Sequence, residues 1–350
     1  MTNQTTYHEV HTSFKLNGLQ LDKNELRRVA YSLIKEGDAT EKAMGDFILD
    51  WFDNKHYIEL QTSGTTGAPK RIRMEKQKMV NSALATAAFF ELHPGDKALC
   101  CLPATYIAGK MMLVRSFVLG LEMDLVVPNA TPLAHNKKHY DFVAMVPLQV
   151  QNSLEGLDKV KKLIIGGTKV SSDLEKKLVN LKNTSVYETY GMTETITHIA
   201  AKKIGEKALR VLPGVQISQN ESNCLVITAP KISDQPISTQ DVVTLLDDKQ
   251  FVFLGRADNL VNSGGIKLIP EQIEAKLAAV LHSKFFVAGI ADPILGEKLV
   301  LVIEGKKQKI NTAIFDVLDK YEIPKEILFV AKFLETENGK LKRKQTIESL

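Results

Sequence analysis

Cysteine is scarce in this chain, with three in 350 residues. Cys100 and Cys101 are adjacent and Cys224 stands alone, so neither a disulfide framework nor a CxxC metal site can be assembled, and a reducing compartment is expected. Long apolar runs are also missing. The most apolar stretch, residues 111–127, is broken by Arg115, Glu122 and Asp124, and the opening MTNQTTYHEVH has no basic or apolar leader region. The expectation is a soluble, cytoplasmic protein with no membrane insertion. Charge of one sign is lacking as well: 45 basic and 41 acidic residues are scattered along the length, leaving no block able to track nucleic acid. The one local exception is the short basic run at residues 340–344.

Two nucleotide fingerprints are absent. The Gly-Lys pairs at Gly109, Gly305 and Gly339 are followed by Met111, Lys307 and Leu341 instead of Ser or Thr, which excludes a Walker A loop, and no G-x-G-x-x-G occurs. Zinc spacing fails too. His8-Glu9-Val10-His11 is one residue short of HExxH, and His135 and His139, at i and i+4, have no carboxylate or cysteine to complete a set.

What is present starts with residues 62–70, TSGTTGAPK. Gly64 and Gly67 let main-chain N–H groups approach an anion, Thr62, Ser63, Thr65 and Thr66 add hydroxyl donors, and Lys70 adds a compact positive charge. The pattern is that of a phosphate loop between a strand and a helix; a plain polar surface loop is the alternative. With 44% apolar residues the chain can bury a sizeable core and is long enough for two domains. Asp22 as N-cap with Glu25 three residues on opens a helix whose face is Leu26, Val29, Ala30, Leu33 and Ile34, and residues 41–52 and 75–92 read as two more helices. Short apolar runs at 98–102, 123–127, 142–146 and 163–165 then alternate with helix-compatible segments, the pattern of a mostly parallel α/β sheet. Ligands of such sheets sit at the carboxyl ends of the strands. The last ninety-odd residues predict a small α+β domain, with Pro270 opening a helix faced by Ile273, Leu277, Val280 and Leu281.

The loop TSGTTGAPK resembles the phosphate loop of the adenylate-forming enzymes, which include the acyl- and aryl-CoA synthetases. Further segments resemble that family's motifs in order: LPATYIAG (102–109), IIGGTK (164–169), VYETYGMTE (186–194), STQD (238–241), GRAD (255–258), GGIKLIPEQIE (264–274) and GKLKR (339–343). The resemblance implies a large N-terminal α/β domain, 1–256, binding ATP and the acid, and a mobile C-terminal domain, 257–350, hinged at Asp258. It implies that Gly166, Gly167, Thr168, Thr189 and Tyr190 border adenine, that Thr193 reaches the α-phosphate, and that Glu194 holds Mg²⁺. Asp241 and Arg256 are implied at the ribose, Gly264 and Gly265 at the coenzyme A step, and Lys340 as the catalytic lysine. Tyr106, Gly109, Lys110, Thr197 and His198 are implied at the acid pocket.

Departures from the family pattern are Tyr106 for the usual histidine, Thr168 and Lys169 for Ala and Pro, Gln240 for Gly, and Leu334-Glu335 for Pro-Arg. Two readings of Tyr106 stay open, a larger aromatic gate or a core residue. Lys110 and Arg115, facing the pocket, would suit an acid with a second carboxylate; surface pairing is the alternative. Among family members the chain resembles most the short bacterial o-succinylbenzoate-CoA ligases of menaquinone synthesis, with another aryl or acyl acid as the runner-up. The partners implied are a small carboxylic acid, ATP and coenzyme A.

Overall fold

The computed structural model describes residues 5–61, 71–134, 136–336 and 341–350, with only the backbone of Gln61 and Arg71. The expected phosphate loop 62–70, His135, and the segment 337–340 that holds Lys340 lie outside the described residues. Packing divides the chain into two compact units, Met1–Gln216 with Thr228–Ile237, and Ile217–Ile227 with Ser238–Leu350.

In the first unit, strands β1 (Lys15–Leu16) and β2 (Leu19–Gln20) precede helices α1 (Lys23–Glu36) and α2 (Ala39–Trp51). The Asp22–Glu25 capping box forms with both bonds at 2.8 Å. Asp38 and Glu41 repeat it at the start of α2, a signal present in the sequence but not singled out there. Strands β3 (Tyr57–Gln61) and β4 (Arg71–Glu75) follow and pair antiparallel. Segment 62–70 is therefore flanked by two strands, not by the strand and helix expected. The reason is local: Glu59 and Arg73 stand directly opposite each other and pair at 3.3 Å, so RIRME completes a hairpin before α3 (Lys76–Phe90) begins.

The rest alternates strand and helix through β5 (Lys97–Cys100), α4 (Ile107–Leu119), β6 (Glu122–Leu125), β7 (Tyr140–Met145), α5 (Pro147–Gln151), β8 (Val160–Ile165), α6 (Ser172–Leu178), β9 (Ser185–Gly191), β10 (His198–Lys203) and β11 (Leu209–Val211). The lateral order is β11-β10-β9-β8-β7-β5-β6-β1-β2. From β9 to β1 neighbours run parallel, while β10 pairs antiparallel to β9 and β2 to β1. Parallel strands buried on both faces read as continuous apolar runs. Accordingly Val143, Met145, Leu163, Ile165 and Val186 share one buried cluster with Leu174 and Leu178 of α6. The fold is the mixed α/β architecture with a mostly parallel core that the alternation predicts.

In the second unit β12 (Gln216–Gln219), β13 (Cys224–Thr228), β14 (Ile237–Leu245) and β15 (Gln250–Arg256) lie side by side in that order. Then come β16 (Val261–Ser263), β17 (Ile266–Leu268), α7 (Pro270–Leu277), β18 (Phe285–Asp292), β19 (Gly296–Glu304), β20 (Glu326–Val330) and α8 (Arg343–Glu348). Strands β17-β16-β19-β18, with β20 alongside β19, form a second sheet with a cluster on each face. Pro270 is the first residue of α7, as expected, but the helix stops at Leu277 and Val280 is 38% exposed. The apolar spacing continues past the point where the chain turns toward β18.

Candidate active site

The carboxyl ends of β5, β8 and β9, which run parallel in the sheet, lead into the sequence-expected residues of the first unit. After β8, Gly166 N–H bonds to the Met145 carbonyl at 3.2 Å, and Thr189 Oγ1 donates to the Ile165 carbonyl at 2.9 Å. A Cβ on Gly166 would stand 3.0 Å from that hydroxyl, and Gly167 takes φ +96°. Glycine at both positions leaves a bare backbone ledge against which a flat base could lie. Val170 N–H bonds Glu188 Oε1 at 3.1 Å, and Glu188 pairs with Lys202 at 3.1 Å, so the 166–170 turn is tied to β9. Thr168, next in the chain after this ledge, and Tyr190, next after Thr189, are both half-buried.

The turn after β9 is held tightly. Gly191 stands opposite His198, where a Cβ would meet the Thr197 carbonyl at 2.3 Å. Thr195, fully buried, accepts the Met192 N–H at 2.9 Å. Ile196 has φ +68° and ψ −57° with Thr197 N–H on the Thr195 carbonyl at 2.8 Å, a strained γ-turn for a β-branched residue. Strain of this kind persists only where the surroundings over-determine it. The result presents Thr193 half-buried and Glu194 exposed, and Glu194 makes no ion pair among the described residues.

α4 positions the acid-side candidates. Gly109 is needed because a Cβ there would stand 2.3 Å from the Pro103 carbonyl oxygen. Tyr106 is 40% exposed at the N-cap of α4, so the core reading of it is excluded. Lys110 Nζ donates to the Ala104 carbonyl at 2.5 Å and lies 4.9 Å from the centre of the Phe47 ring. Burial lowers its pKa. Arg115 is different. It is 2% exposed, its Nε has no hydrogen-bond partner, and among the described residues no carboxylate pairs with it. Its Nη2 donates to Thr197 Oγ1 at 3.3 Å and its Nη1 points at Met112 Sδ at 3.8 Å. Burial alone brings its pKa down to about 10. A buried guanidinium without a carboxylate is costly to keep, which makes Arg115 a candidate site residue.

The second unit holds its own set. Arg256 Nη1 donates to Asp241 Oδ1 at 3.1 Å, while Nε and Nη2 take the two oxygens of Asp258 at 3.0 and 2.8 Å. That fork holds the Asp258 carboxyl below its usual range. Gly255 is required because a Cβ would stand 2.4 Å from Glu271 Oε2. Gly264 and Gly265, at φ +60° and +82°, make the two-residue turn between β16 and β17. Arg343 forms a two-point pair with Glu274 and also donates to the Val287 carbonyl at 2.8 Å, and an isolated bridge joins Glu335 to Leu341.

Residues 54–223 match the AMP-binding enzyme family. A solved acyl-CoA synthetase (AMP-forming)/AMP-acid ligase II-like protein from Dyadobacter fermentans is 34% identical, with 92% of this chain and 98% of that one covered and a TM-score of 0.62. The chain belongs to the AMP-binding enzyme family. A 2-succinylbenzoate–CoA ligase of Bacillus cytotoxicus is 24% identical over 82% of this chain and 68% of the relative. The o-succinylbenzoate coenzyme A synthetase of Bacillus subtilis, solved in complex with ATP and magnesium ion, has the same fold, with 20% identity, 83% of this chain and 69% of that chain covered, and a TM-score of 0.72. The chain thus spans about two thirds of the length of these two proteins.

Proposed function

We propose that the protein is an ATP-dependent acid-CoA ligase working through an acyl-adenylate, and that its acid carries a second carboxylate, with o-succinylbenzoate the acid that its relatives' names point to. The observation that carries this is Arg115, a buried guanidinium held without a carboxylate among the described residues. An incoming carboxylate would supply the bidentate partner that the fork geometry calls for.

In the first half-reaction an oxygen of the acid's reacting carboxylate attacks the α-phosphorus, and the bond to pyrophosphate breaks. In the second, the coenzyme A thiolate attacks the acyl carbon and AMP leaves. Catalysis is then mostly positioning and charge neutralisation. The bare backbone at Gly166 and Gly167 and the Asp241–Arg256 pair support a nucleotide reading, in which the glycines and Tyr190 are proposed for the base and Asp241 with Arg256 for the ribose hydroxyls. Glu194, exposed and without an ion pair among the described residues, would hold a magnesium ion, whose charge offsets that of the phosphates. Residues 62–70 are proposed at the triphosphate, Thr193 at the α-phosphate and Lys340 at the developing charge between carboxylate and phosphate. Gly264 and Gly265 are proposed to serve the thioester step after the 257–350 region turns about Asp258.

Pyrophosphate release with a panel of acids, with and without coenzyme A, tests the reading. Aromatic acids with a second carboxylate should exceed their monocarboxylate counterparts at least tenfold in kcat/KM. Equal rates across the panel would remove the second-carboxylate claim, and no release with any acid would remove the ligase claim. Lys340→Ala should slow adenylation by about 10²- to 10³-fold, as loss of a transition-state charge donor does, and leave thioester formation from supplied acyl-adenylate intact.

A further inference from the structure

His198 is buried at 6% exposure and has a side-chain hydroxyl on each ring nitrogen. Thr86 Oγ1 lies 3.2 Å from Nε2, and Thr197 Oγ1 lies 3.4 Å from Nδ1. Hydrogen-bond accounting fixes the direction of both. Thr86 Oγ1 is also 2.9 Å from the Ser82 carbonyl, which can only accept. A hydroxyl has one proton to give, so Thr86 gives it to Ser82 and must accept from Nε2–H of His198. A neutral imidazole then has its lone pair on Nδ1, and the Thr197 hydroxyl donates into it. Thr197 Oγ1 is left to accept from Arg115 Nη2 at 3.3 Å. Every bond in the series Arg115, Thr197, His198, Thr86, Ser82 points the same way.

The imidazolium breaks this series. Its Nδ1–H would face an oxygen that already accepts from a guanidinium, placing two buried positive charges side by side. Burial first, and Arg115 second, hold the His198 pKa well below its ordinary value, in agreement with the bond directions. The ring is also fixed from the sides. The Phe90 ring meets it at a 75° interplanar angle, and Gly191 lets the His198 backbone pass where a Cβ would sit 2.5 Å from its Cα. The cavity that His198 borders with Asn81 and Val215 is about 30 Å³. That is room for about one water and not for an acid. His198 therefore acts through its neighbour and not by touching the substrate.

We propose that His198 is a positioning residue for the acid: fixed as the Nε2–H tautomer by Thr86, it draws the Thr197 proton to itself and turns the Thr197 oxygen toward Arg115, which orients the guanidinium for the acid's second carboxylate. This rests on the functional reading above.

Two measurements on the full-length chain test it. Nitrogen-15 NMR of histidine-labelled protein at pH 7 should show His198 neutral, protonated at Nε2 and bare at Nδ1; an Nδ1–H tautomer or an imidazolium overturns the proposal. In steady-state adenylation, His198→Leu removes the acceptor, whereas His198→Asn puts an amide oxygen near the former Nδ1. For an acid with a second carboxylate, His198→Leu should raise KM about fivefold or more, the worth of one net hydrogen bond, with a smaller change in kcat. His198→Asn should recover most of that loss, and a monocarboxylic acid should show no such difference. Equal impairment in both variants, or none in His198→Leu, overturns the relay. If the wild-type enzyme ignores the second carboxylate, the functional reading falls instead, and the NMR result still decides the tautomer.

Discussion

Two cations on one helix fare differently. Lys110 and Arg115 are five residues apart, about 140° around a helix, so they cannot both face the same space. The lysine turns to a carbonyl and an aromatic ring, and the arginine stays buried with Nε unsatisfied. The sequence displays both charges beside the LPATYIAG segment; only helix phase and burial separate them. The stability consequence has a definite sign. The folded-state pKa of Arg115 is lowered to about 10, below its ordinary value, so the unfolded chain holds the proton more tightly. The folded state is penalised at every pH below about 10, and the penalty fades as pH rises from there toward the ordinary arginine value. Arg115→Met, close in volume and without charge, is expected to raise the melting temperature at pH 7 by a few degrees while weakening use of a dicarboxylic acid. Differential scanning calorimetry beside the acid-panel assay checks both halves. A lower melting temperature would mean that the guanidinium contributes to stability through a partner.

Elements were legible to different degrees, and the reasons differ. The α1 cap could be read because its two acidic residues stand three apart directly before an apolar face. The equivalent pair at α2 has the same spacing but stands before a less regular apolar face. β4 was hidden by its charges: Arg71, Arg73 and Glu75 alternate with two apolar residues, a period-two pattern too short to stand out next to a phosphate-loop motif. The γ-turn at Ile196 has no sequence signal, since β-branched residues avoid positive φ. It follows from the crossing of β9 and β10, and Gly191 makes that crossing possible. Gly191→Ala should therefore force a 2.3 Å clash with backbone, cost several degrees of melting temperature and reduce adenylation at least tenfold. A variant with wild-type melting and rate would show that the strands can separate there freely.

For the molecule as a whole, motif order along the chain carried most of the functional reading, while the packing units did not follow from it. The small domain was expected from residue 257 onward, yet residues 217–227 and 238–256 pack with it as one compact unit. Antiparallel neighbours such as β14 and β15 pair by register, which local composition does not announce. That unit is also pinned between α8 and α7 by the two-point pair of Arg343 with Glu274. Arg343→Ala would leave the half-buried Glu274 carboxylate with the Val287 N–H at 2.8 Å but no cation, with an expected loss of about 1–3 kcal/mol measurable by urea denaturation. An unchanged midpoint would mean that the last helix contributes nothing to the unit.

One feature of the chain path reaches beyond stability. Because residues 228–237 return to the first unit after 217–227 have joined the second, the backbone passes between the two three times. Within the first unit the returning segment is tied to α3 by Lys78 on Asp234 at 2.8 Å and by Asn81 on the Lys231 carbonyl at 2.9 Å. A protease that nicks any single passage breaks the chain into two fragments, at least one of which carries parts of both units, so the fragments stay together only through non-covalent packing of the kind these contacts provide. Neither unit can be expressed alone by placing one stop codon, because the two are drawn alternately from four successive segments of the chain.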